Sequence, residues 1–172
     1  SNLTIIELKN YNRKVTYDLP ILPSPNLPNR KSINLYPSLC LFEGTNVSAG
    51  RGTEMQFQIY GSPFLNKEKN NFRFIPKKNS GSKYPKHENL LCFGKNLSEN
   101  KKLDKFDLSF LLNAYSDTND KQNFFNNYFD KLAGTNSLKN QILSGLSEKK
   151  IIQSWKKKLD IYKEMRMKYL IY

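Results

Sequence analysis

The sequence has 172 residues, a length that suits one domain with its own hydrophobic core. Apolar residues make up 38% of the chain and aromatic residues 13%, which excludes a disordered protein. No run of apolar residues is long enough to cross a bilayer, so the sequence predicts no membrane span. We therefore expect residues 1–172 to form a single domain.

The formal net charge of +13 raises the hypothesis that the chain binds nucleic acid. Of the 28 basic residues, 23 are lysines spread along the whole chain. Proteins that read nucleic acids concentrate arginine, because its planar guanidinium grips phosphates and bases. The arginines here lie far apart, at positions 13, 30, 51, 73 and 166. We therefore predict a solvated lysine surface and no nucleic-acid partner, with attraction to anionic cell-wall polymers as an intermediate interpretation.

Cys40 and Cys92 each stand between apolar neighbours, which is typical of buried thiols. In a secreted protein the two could instead form a disulfide, and the sequence leaves both alternatives open. His87 is the single histidine and no CxxC motif occurs, so the sequence predicts neither a metal site nor a Cys-His nucleophile. We expect no cofactor.

The first part of the chain carries short apolar segments separated by turns. Residues 3–8 have the composition of a strand, and four prolines within residues 20–28 favour an extended loop over a helix. The apolar run at residues 35–42 is compatible with two structures, a short helix with Pro37 in its first turn or a buried strand.

Three further strands are predicted in the middle of the chain. Residues 55–60 alternate apolar and polar side chains, as a half-buried strand does, and end at a Gly-Ser-Pro turn. Residues 71–76 and 90–94 are the other two candidates, with a polar loop at residues 77–89 between them.

From about Asp107 the apolar residues recur every three or four positions, which is the period of an amphipathic helix. This pattern predicts three short helices, at residues 107–115, 124–132 and 138–143. Ser147 is expected to cap a last helix, whose apolar residues continue to Tyr169. Strands followed by helices predict an α+β fold, with a small sheet in the N-terminal two thirds covered by C-terminal helices.

Residues 43–53 combine glycines with the polar groups that a sugar site needs. The Glu43 carboxylate and the Asn46 amide can bond ring hydroxyls, and the glycines let a ligand approach the backbone. Arg51 can bind a carboxylate through two parallel hydrogen bonds, and N-acetylmuramic acid differs from N-acetylglucosamine by its lactyl carboxylate. A structural alternative, in which Glu43 caps a helix or pairs with Arg51, stays open at this point.

Several specific motifs lie in the first hundred residues. The longest are PSPNLP at residues 23–28, CLFEGTNVS at 40–48 and GRGT at 50–53. Shorter ones follow, with GSP at 61–63, FIP at 74–76, SKY at 82–84 and CFG at 92–94. Together these motifs resemble the exo-β-N-acetylmuramidase (NamZ-type) family of peptidoglycan glycoside hydrolases. Ala49 departs from the family pattern, which usually has a larger or acidic residue at this position.

The resemblance implies a two-domain enzyme that releases N-acetylmuramic acid from the non-reducing ends of peptidoglycan fragments, in the periplasm or outside the cell. Its Rossmann-like N-terminal domain carries the main catalytic residues, and the present chain is the C-terminal domain that closes one side of the cleft. The Rossmann-like N-terminal domain and the signal peptide are expected upstream of the sequence given. By matching positions, Glu43 is a candidate catalytic residue. The candidate substrate-binding residues are Ser24, Asn26, Asn46, Arg51, Gly52 and Thr53.

Glycoside hydrolysis usually requires two carboxylates across the scissile bond, and Glu43 is the one that stands in a motif. We therefore expect Glu43 to be either one of that pair or a substrate anchor, and the isolated chain to be inactive. Two other hypotheses remain. One is a non-catalytic module that holds anionic glycans or nucleic acid through its lysines. The other is a structural domain in which Glu43 and Arg51 are buried and paired, with no cleft around them.

Overall fold

The computed structural model describes residues 2–12 and 14–171, and its architecture is α+β, as the sequence predicted. Its strands are β1 (Ile59–Ser62), β2 (Phe72–Phe74) and β3 (Cys92–Asn96). The helices are α1 (Arg30–Leu39), α2 (Ser109–Asp117), α3 (Phe129–Ala133), α4 (Ser137–Leu143) and α5 (Glu148–Arg166). Two 3₁₀ turns continue α1 and α5, at Cys40–Gly44 and Met167–Tyr169.

The sheet is antiparallel, and β3 lies between β1 and β2. Gly94 of β3 pairs with Gly61 of β1 on one side and with Phe72 of β2 on the other. A Cβ atom on Gly94 would lie 1.8 Å from the carbonyl oxygen of Tyr60, so this close approach of two strands requires glycine. All four residues of β1 are buried, which places this strand against the core.

α1 begins at a capping box formed by Asn29 and Ser32. The side chain of Asn29 accepts a hydrogen bond from the backbone N–H of Ser32 at 2.9 Å, and the Ser32 hydroxyl accepts one from the N–H of Asn29 at 3.3 Å. This cap starts the helix well before Pro37, which lies inside the helix and not in its first turn. The two alternatives for residues 35–42 are thereby decided: the segment is the end of α1 and a 3₁₀ turn.

The core joins α1, β1 and the C-terminal helices through aromatic contacts. Phe42, in the 3₁₀ turn, stacks on Tyr60 of β1 with ring centroids 4.8 Å apart. A second group packs edge to face, with centroids 4.9 Å apart between Phe124 and Phe125 and 4.6 Å apart between Phe125 and Phe129. Removal of these side chains from water is the main force that holds the turn after α1 against the helices.

The strand predicted at residues 3–8 is not formed. Residues 3–8 have no regular secondary structure, and Leu3 and Ile6 are 81% and 90% exposed. The prediction was wrong because strand composition alone does not supply a neighbouring strand to pair with.

The strand predicted at residues 55–60 begins only at Ile59. Residues before it form turns, and the N–H of Phe57, at φ +52°, donates a hydrogen bond to the carbonyl of Ala49 at 2.8 Å. The loop before the strand therefore takes the hydrogen bonds that would have extended it.

The helix predicted at residues 124–132 is restricted to α3. The carbonyl of Phe124 accepts a hydrogen bond from the N–H of Asn46 at 2.7 Å, and Thr45 forms an isolated bridge with Phe125. Tertiary pairing with residues 45–46 thus replaces the first turns of the helix.

α5 starts where the sequence predicted, but much of its apolar stripe is exposed. Ser147 occupies the N-cap position without a side-chain capping bond. Ile151 is fully buried and Trp155 packs against the core. The exposed apolar side chains further along include Leu159, Tyr162 and Met165. Only the first part of α5 therefore covers the core. In the described ranges, no helix combines the length and apolar character needed to cross a membrane.

Cys40 and Cys92 are both free thiols, so the two do not form a disulfide; Cys92 is buried, as predicted, whereas Cys40 is half-buried. Burial raises the pKa of Cys92 to about 12. Burial also raises the pKa of Cys40, and the nearby Glu43 carboxylate raises it further. Neither thiol is therefore activated as a nucleophile.

Candidate functional site

The 3₁₀ turn after α1, the loop that follows it and a distant loop enclose a cavity of about 310 Å³. Its charged groups are Glu43, Arg51 and Lys86, so two cations face one carboxylate. The other lining residues are Val47, Ser48, Ala49, Ser82, Tyr84 and Tyr128. The excess of positive charge favours an anionic ligand.

A larger cavity, of about 710 Å³, lies between residues 16–22 and the start of α1. Its walls are mainly apolar, and the charged pair at its edge, Arg30 and Asp18, is well exposed to water. We place the candidate site in the smaller cavity because there several polar groups converge on one space, which is what orients a polar ligand.

Residues 45–48 are held in place by hydrogen bonds to the core. The Thr45 hydroxyl donates to the carbonyl of Phe42 at 2.9 Å and accepts from the N–H of Val47 at 3.0 Å. The backbone of Ser48 exchanges two hydrogen bonds with Gly61 of β1, at 2.8 and 2.9 Å. The loop is therefore attached to the edge of the sheet just before Arg51.

Gly50 and Gly52 make the turn that brings Arg51 back toward Glu43. Their φ angles are +78° and +82°, the left-handed region that favours glycine. The Thr53 hydroxyl donates to the carbonyl of Gly50 at 2.7 Å and accepts from the N–H of Met55 at 3.0 Å. Gly52 and Thr53 thus shape the turn behind the cavity and do not line it.

Glu43 and Arg51 form an ion pair, with 2.8 Å between Oε1 and Nη1. Their side chains are 30% and 42% exposed. A pair this exposed contributes about 0–1 kcal/mol, so a ligand can compete for either partner. Arg51 Nε is buried without a hydrogen-bond partner among the described residues, which leaves donor capacity on the guanidinium.

Lys86 fastens the loop from the other side of the cavity. Its ammonium donates to the carbonyls of Phe42 at 2.9 Å and Val47 at 3.1 Å, and also to the carbonyl of Thr45. These three bonds use every donor of the ammonium group. Burial lowers the pKa of Lys86 to about 8, with Arg51 also lowering it and Glu43 opposing the change.

His87 adds a second attachment to the same loop. Its Nε2 lies 2.6 Å from the carbonyl oxygen of Asn46, so this nitrogen carries the hydrogen and donates it. Burial lowers the pKa of His87, and Lys86 lowers it as well, although the bond to Asn46 raises it. The neutral ring is therefore a structural donor at neutral pH.

Three predicted site residues carry buried or locally used polar groups beside the cavity. Both polar atoms of the Asn46 amide are buried and lack a partner among the described residues. Asn26 donates to the carbonyl of Gly81 at 2.6 Å, and its N–H donates to the Ser24 hydroxyl at 3.1 Å. Asn26 therefore reaches the cavity's second loop at Gly81, next to Ser82, and Ser24 supports Asn26; neither residue lines the cavity.

Of the seven residues predicted from sequence, the structure puts Glu43 and Arg51 in the cavity wall and the others around it. The structural alternative correctly anticipated that this pair would be bonded, but the pair is exposed and a cavity adjoins it. The residues missed were Tyr84, Lys86 and Tyr128. SKY at residues 82–84 was the one local signal for any of them, since Lys86 stands in an ordinary polar loop and Tyr128 in a predicted helix. Within the described ranges, no cluster of His, Cys, Asp or Glu is arranged to hold a metal ion.

Three comparisons with known proteins agree with one another. Residues 34–172 match the family described as "Exo-beta-N-acetylmuramidase NamZ, C-terminal". The peptidoglycan beta-N-acetylmuramidase NamZ of Bacillus subtilis (strain 168) is 35% identical over 191 residues, which cover 100% of this chain and 46% of that protein. The crystal structure of a DUF1343 family protein from Bacteroides fragilis NCTC 9343 superposes with a TM-score of 0.88 at 43% identity, covering 95% of this chain and 47% of that one. The chain thus spans about half the length of these relatives.

Proposed function

Because the chain belongs to the family of C-terminal domains of the exo-beta-N-acetylmuramidase NamZ, we propose that it is the substrate-binding part of an exo-acting glycosidase. The glycosidase releases N-acetylmuramic acid from the non-reducing ends of peptidoglycan fragments, in the periplasm or outside the cell. The observation that carries this proposal is the position of Arg51, on a cavity wall with spare donors and an excess of positive charge.

Arg51 binds the lactyl carboxylate of N-acetylmuramic acid, because a guanidinium offers two parallel donors that match a carboxylate. In doing so it exchanges its exposed bond to Glu43 for a bond to the ligand. Glu43 is then free to accept hydrogen bonds from sugar hydroxyls, and the buried Asn46 side-chain amide, unpartnered among the described residues, follows three positions later in the chain. Ser24, Asn26, Gly52 and Thr53 act by holding the shape of the two loops.

Catalysis needs a second carboxylate, and Glu43 is the one carboxylate among the described residues that line the cavity. The other half of the parent protein, a Rossmann-like N-terminal domain, supplies the missing group. The exposed apolar side chains of α5 support this arrangement, since large apolar surfaces usually meet another protein surface. The chain on its own therefore binds sugar without turning it over.

Titration of the 172-residue chain with N-acetylmuramic acid and with N-acetylglucosamine, followed by NMR chemical shifts, tests the proposal. We expect about ten-fold tighter binding of N-acetylmuramic acid, because a charge-assisted bidentate bond contributes more than about 1 kcal/mol. Arg51→Ala should abolish this preference. Arg73→Ala is the matched control, since Arg73 is an exposed arginine of β2 outside the cavity. Equal affinity for the two sugars, or a preference that survives Arg51→Ala, would contradict the proposal.

The lysine-module hypothesis gives a different result in the same assay. Binding through scattered surface lysines would weaken steeply with salt and would be insensitive to Arg51→Ala. The lysines of α5 give it little support, because Lys156 and Lys157 share their surface with Asp160 and Glu164 and do not form a patch of one sign.

A further inference from the structure

Two exposed tyrosines stand in the wall of the cavity that holds the Glu43–Arg51 pair. Tyr84 is 86% exposed and Tyr128 is 51% exposed. A tyrosine left in water gives up the apolar burial that its ring could contribute to folding. An exposed aromatic residue beside a polar cavity is therefore a candidate ligand contact, since small-molecule sites combine aromatic walls with a few placed polar groups.

The backbone on both sides of Tyr84 is fixed to the candidate site. Ser82 is buried, and Pro85 packs so closely on Gly52 that a Cβ atom there would lie 2.5 Å from the Pro85 Cβ. The next residue, Lys86, donates its three hydrogen bonds to the carbonyls of the first loop. Lys78 Nζ lies over the Tyr84 ring, 5.6 Å from its centroid, so a cation contacts one face of a ring that is otherwise largely exposed to water.

The backbone of Tyr128 is fixed in the same way, to the turn that carries Glu43. Its N–H donates to the Asn126 side chain at 2.8 Å. Asn126 in turn donates its backbone N–H to the carbonyl of Gly44 at 2.9 Å and its side-chain amide to the carbonyl of Glu43 at 3.1 Å. Phe129, which follows, is fully buried. The chain thus anchors the neighbours of each tyrosine and leaves the ring itself in water.

The size of the cavity limits what these rings can hold. A volume of about 310 Å³ is at the small end of the range of about 300–1,000 Å³ for small-molecule sites. One sugar ring fits this space better than an extended glycan chain. A pyranose has one face of C–H groups that packs on an aromatic ring, while its hydroxyls and substituents point to the rim, where polar side chains can bond them.

We infer that Tyr84 and Tyr128 are the apolar walls of a subsite for a single terminal amino sugar, which packs its C–H face on their rings while Glu43 and Arg51 bind its polar groups. This inference rests on the proposed function and adds the residues that recognise the sugar ring itself. The two kinds of contact recognise different parts of the sugar. Arg51 distinguishes the carboxylate of N-acetylmuramic acid, whereas the tyrosines contact the ring that N-acetylmuramic acid and N-acetylglucosamine share.

The test is the same NMR titration with both sugars, applied to Tyr84→Ala, Tyr128→Ala and the corresponding Phe variants. Each Ala variant should bind both sugars about ten-fold more weakly, the loss expected for a stacked aromatic ring. The ratio of the two affinities should stay unchanged, because Arg51 is intact. The Phe variants should stay within about two-fold of the unmodified chain, since they keep the ring. Tyr162→Ala, at an exposed tyrosine of α5 outside the cavity, is the matched control and should bind as the unmodified chain does.

The outcomes separate the inference from the proposed function. Ala variants that bind as well as the unmodified chain would overturn the tyrosine subsite and leave the role of Arg51 standing. Phe variants that lose as much affinity as the Ala variants would also overturn it, because the hydroxyl and not the ring would then be the contact. An unmodified chain that binds neither sugar would overturn both. Ring-current shifts of the sugar C–H protons, present in the Phe variants and lost in the Ala variants, would support stacking directly.

Discussion

The candidate site and the far part of α5 differ in where their contacts come from. Around the cavity, the three bonds of Lys86, the bond of His87 and the tight turn at Gly52 fix polar groups through contacts made within this chain. Along α5, side chains such as Leu159 and Met165 are apolar yet exposed. The chain thus fixes the polar groups of the candidate site by its own contacts, whereas the far part of α5 leaves apolar side chains exposed to water.

Gly52→Ala should have the largest effect on stability, because it strains the turn that Gly50 and Gly52 form on either side of Arg51. The new Cβ would meet Pro85 at 2.5 Å, and φ is +82°. We expect the free energy of unfolding to fall by about 3–4 kcal/mol, from the left-handed backbone and the overpacking together. Gly145→Ala is the matched control, since its φ is +71° but nothing lies within 4 Å of the new Cβ. It should cost only about 1–2 kcal/mol in the same urea unfolding experiment. Equal losses would show that the loop is not tightly packed.

The same substitution at two isoleucines of α5 tests the other side of the comparison. Ile151 is fully buried, whereas Ile161 is 59% exposed. Ile151→Ala should lower the free energy of unfolding by about 3 kcal/mol and Ile161→Ala by less than about 0.5 kcal/mol. A large loss at Ile161, measured by urea unfolding of this chain, would mean that the far part of α5 is already packed and needs no partner.

Lys86→Met should destabilise the chain by about 2 kcal/mol, because the buried carbonyls of Thr45 and Val47 lose their donor while one buried charge is removed. The Phe42 carbonyl keeps its hydrogen bond from the Thr45 hydroxyl. Lys83→Met, at an exposed lysine of the same loop, should change the melting temperature very little. Similar melting temperatures for the two variants would show that Lys86 does not fasten the loop.

The Lys86 ammonium should lose its proton near pH 8, because burial lowers its pKa from 10.5 to about 8. The unfolded chain then binds more protons than the folded chain between these two values. The contribution of Lys86 to the free energy of unfolding therefore rises as the pH goes from about 8 to 10.5. Across this range, the unmodified chain should become more stable relative to the Lys86→Met variant. An NMR titration of the Lys86 side-chain carbon beside the amine measures the midpoint directly. A midpoint near 10.5 would contradict the buried environment.

Glu43→Gln should have the smallest effect on stability, below about 1 kcal/mol, because the ion pair with Arg51 is partly exposed. Its effect on sugar binding should be larger, since the carboxylate accepts hydroxyl hydrogen bonds that a neutral amide accepts less strongly. A variant that is strongly destabilised, by thermal unfolding, would instead support the structural alternative for this pair.

Much of the secondary structure followed from local patterns. The period of three to four residues located α2, α4 and α5, and short apolar segments beside polar loops located β2 and β3 approximately. Two of the errors arose where a residue outside the predicted element took its hydrogen bonds. Residues 45–46 pair with Phe124 and Phe125, which shortens α3. The carbonyl of Ala49 accepts the hydrogen bond of the Phe57 N–H, and β1 begins later than predicted. No local window contains residues 45–46 together with Phe124 and Phe125, whereas Ala49 and Phe57 lie eight positions apart on either side of one loop.

The residues of the candidate site also fall into two groups: those that the local sequence indicated and those that only folding brought together. Glycines, a carboxylate, an amide and an arginine within residues 43–53 indicated a polar loop, because left-handed turns and sugar or carboxylate binding need those residue types. The ion pair between Glu43 and Arg51 could also be anticipated from the sequence, because both residues belong to this loop. Tyr84, Lys86 and Tyr128 joined it only through folding, since packing brings them to the cavity from other parts of the chain. Short-range backbone preferences thus set the loop and its chemistry. The cavity, its positive charge and its aromatic walls depend on long-range contacts that only the tertiary structure forms.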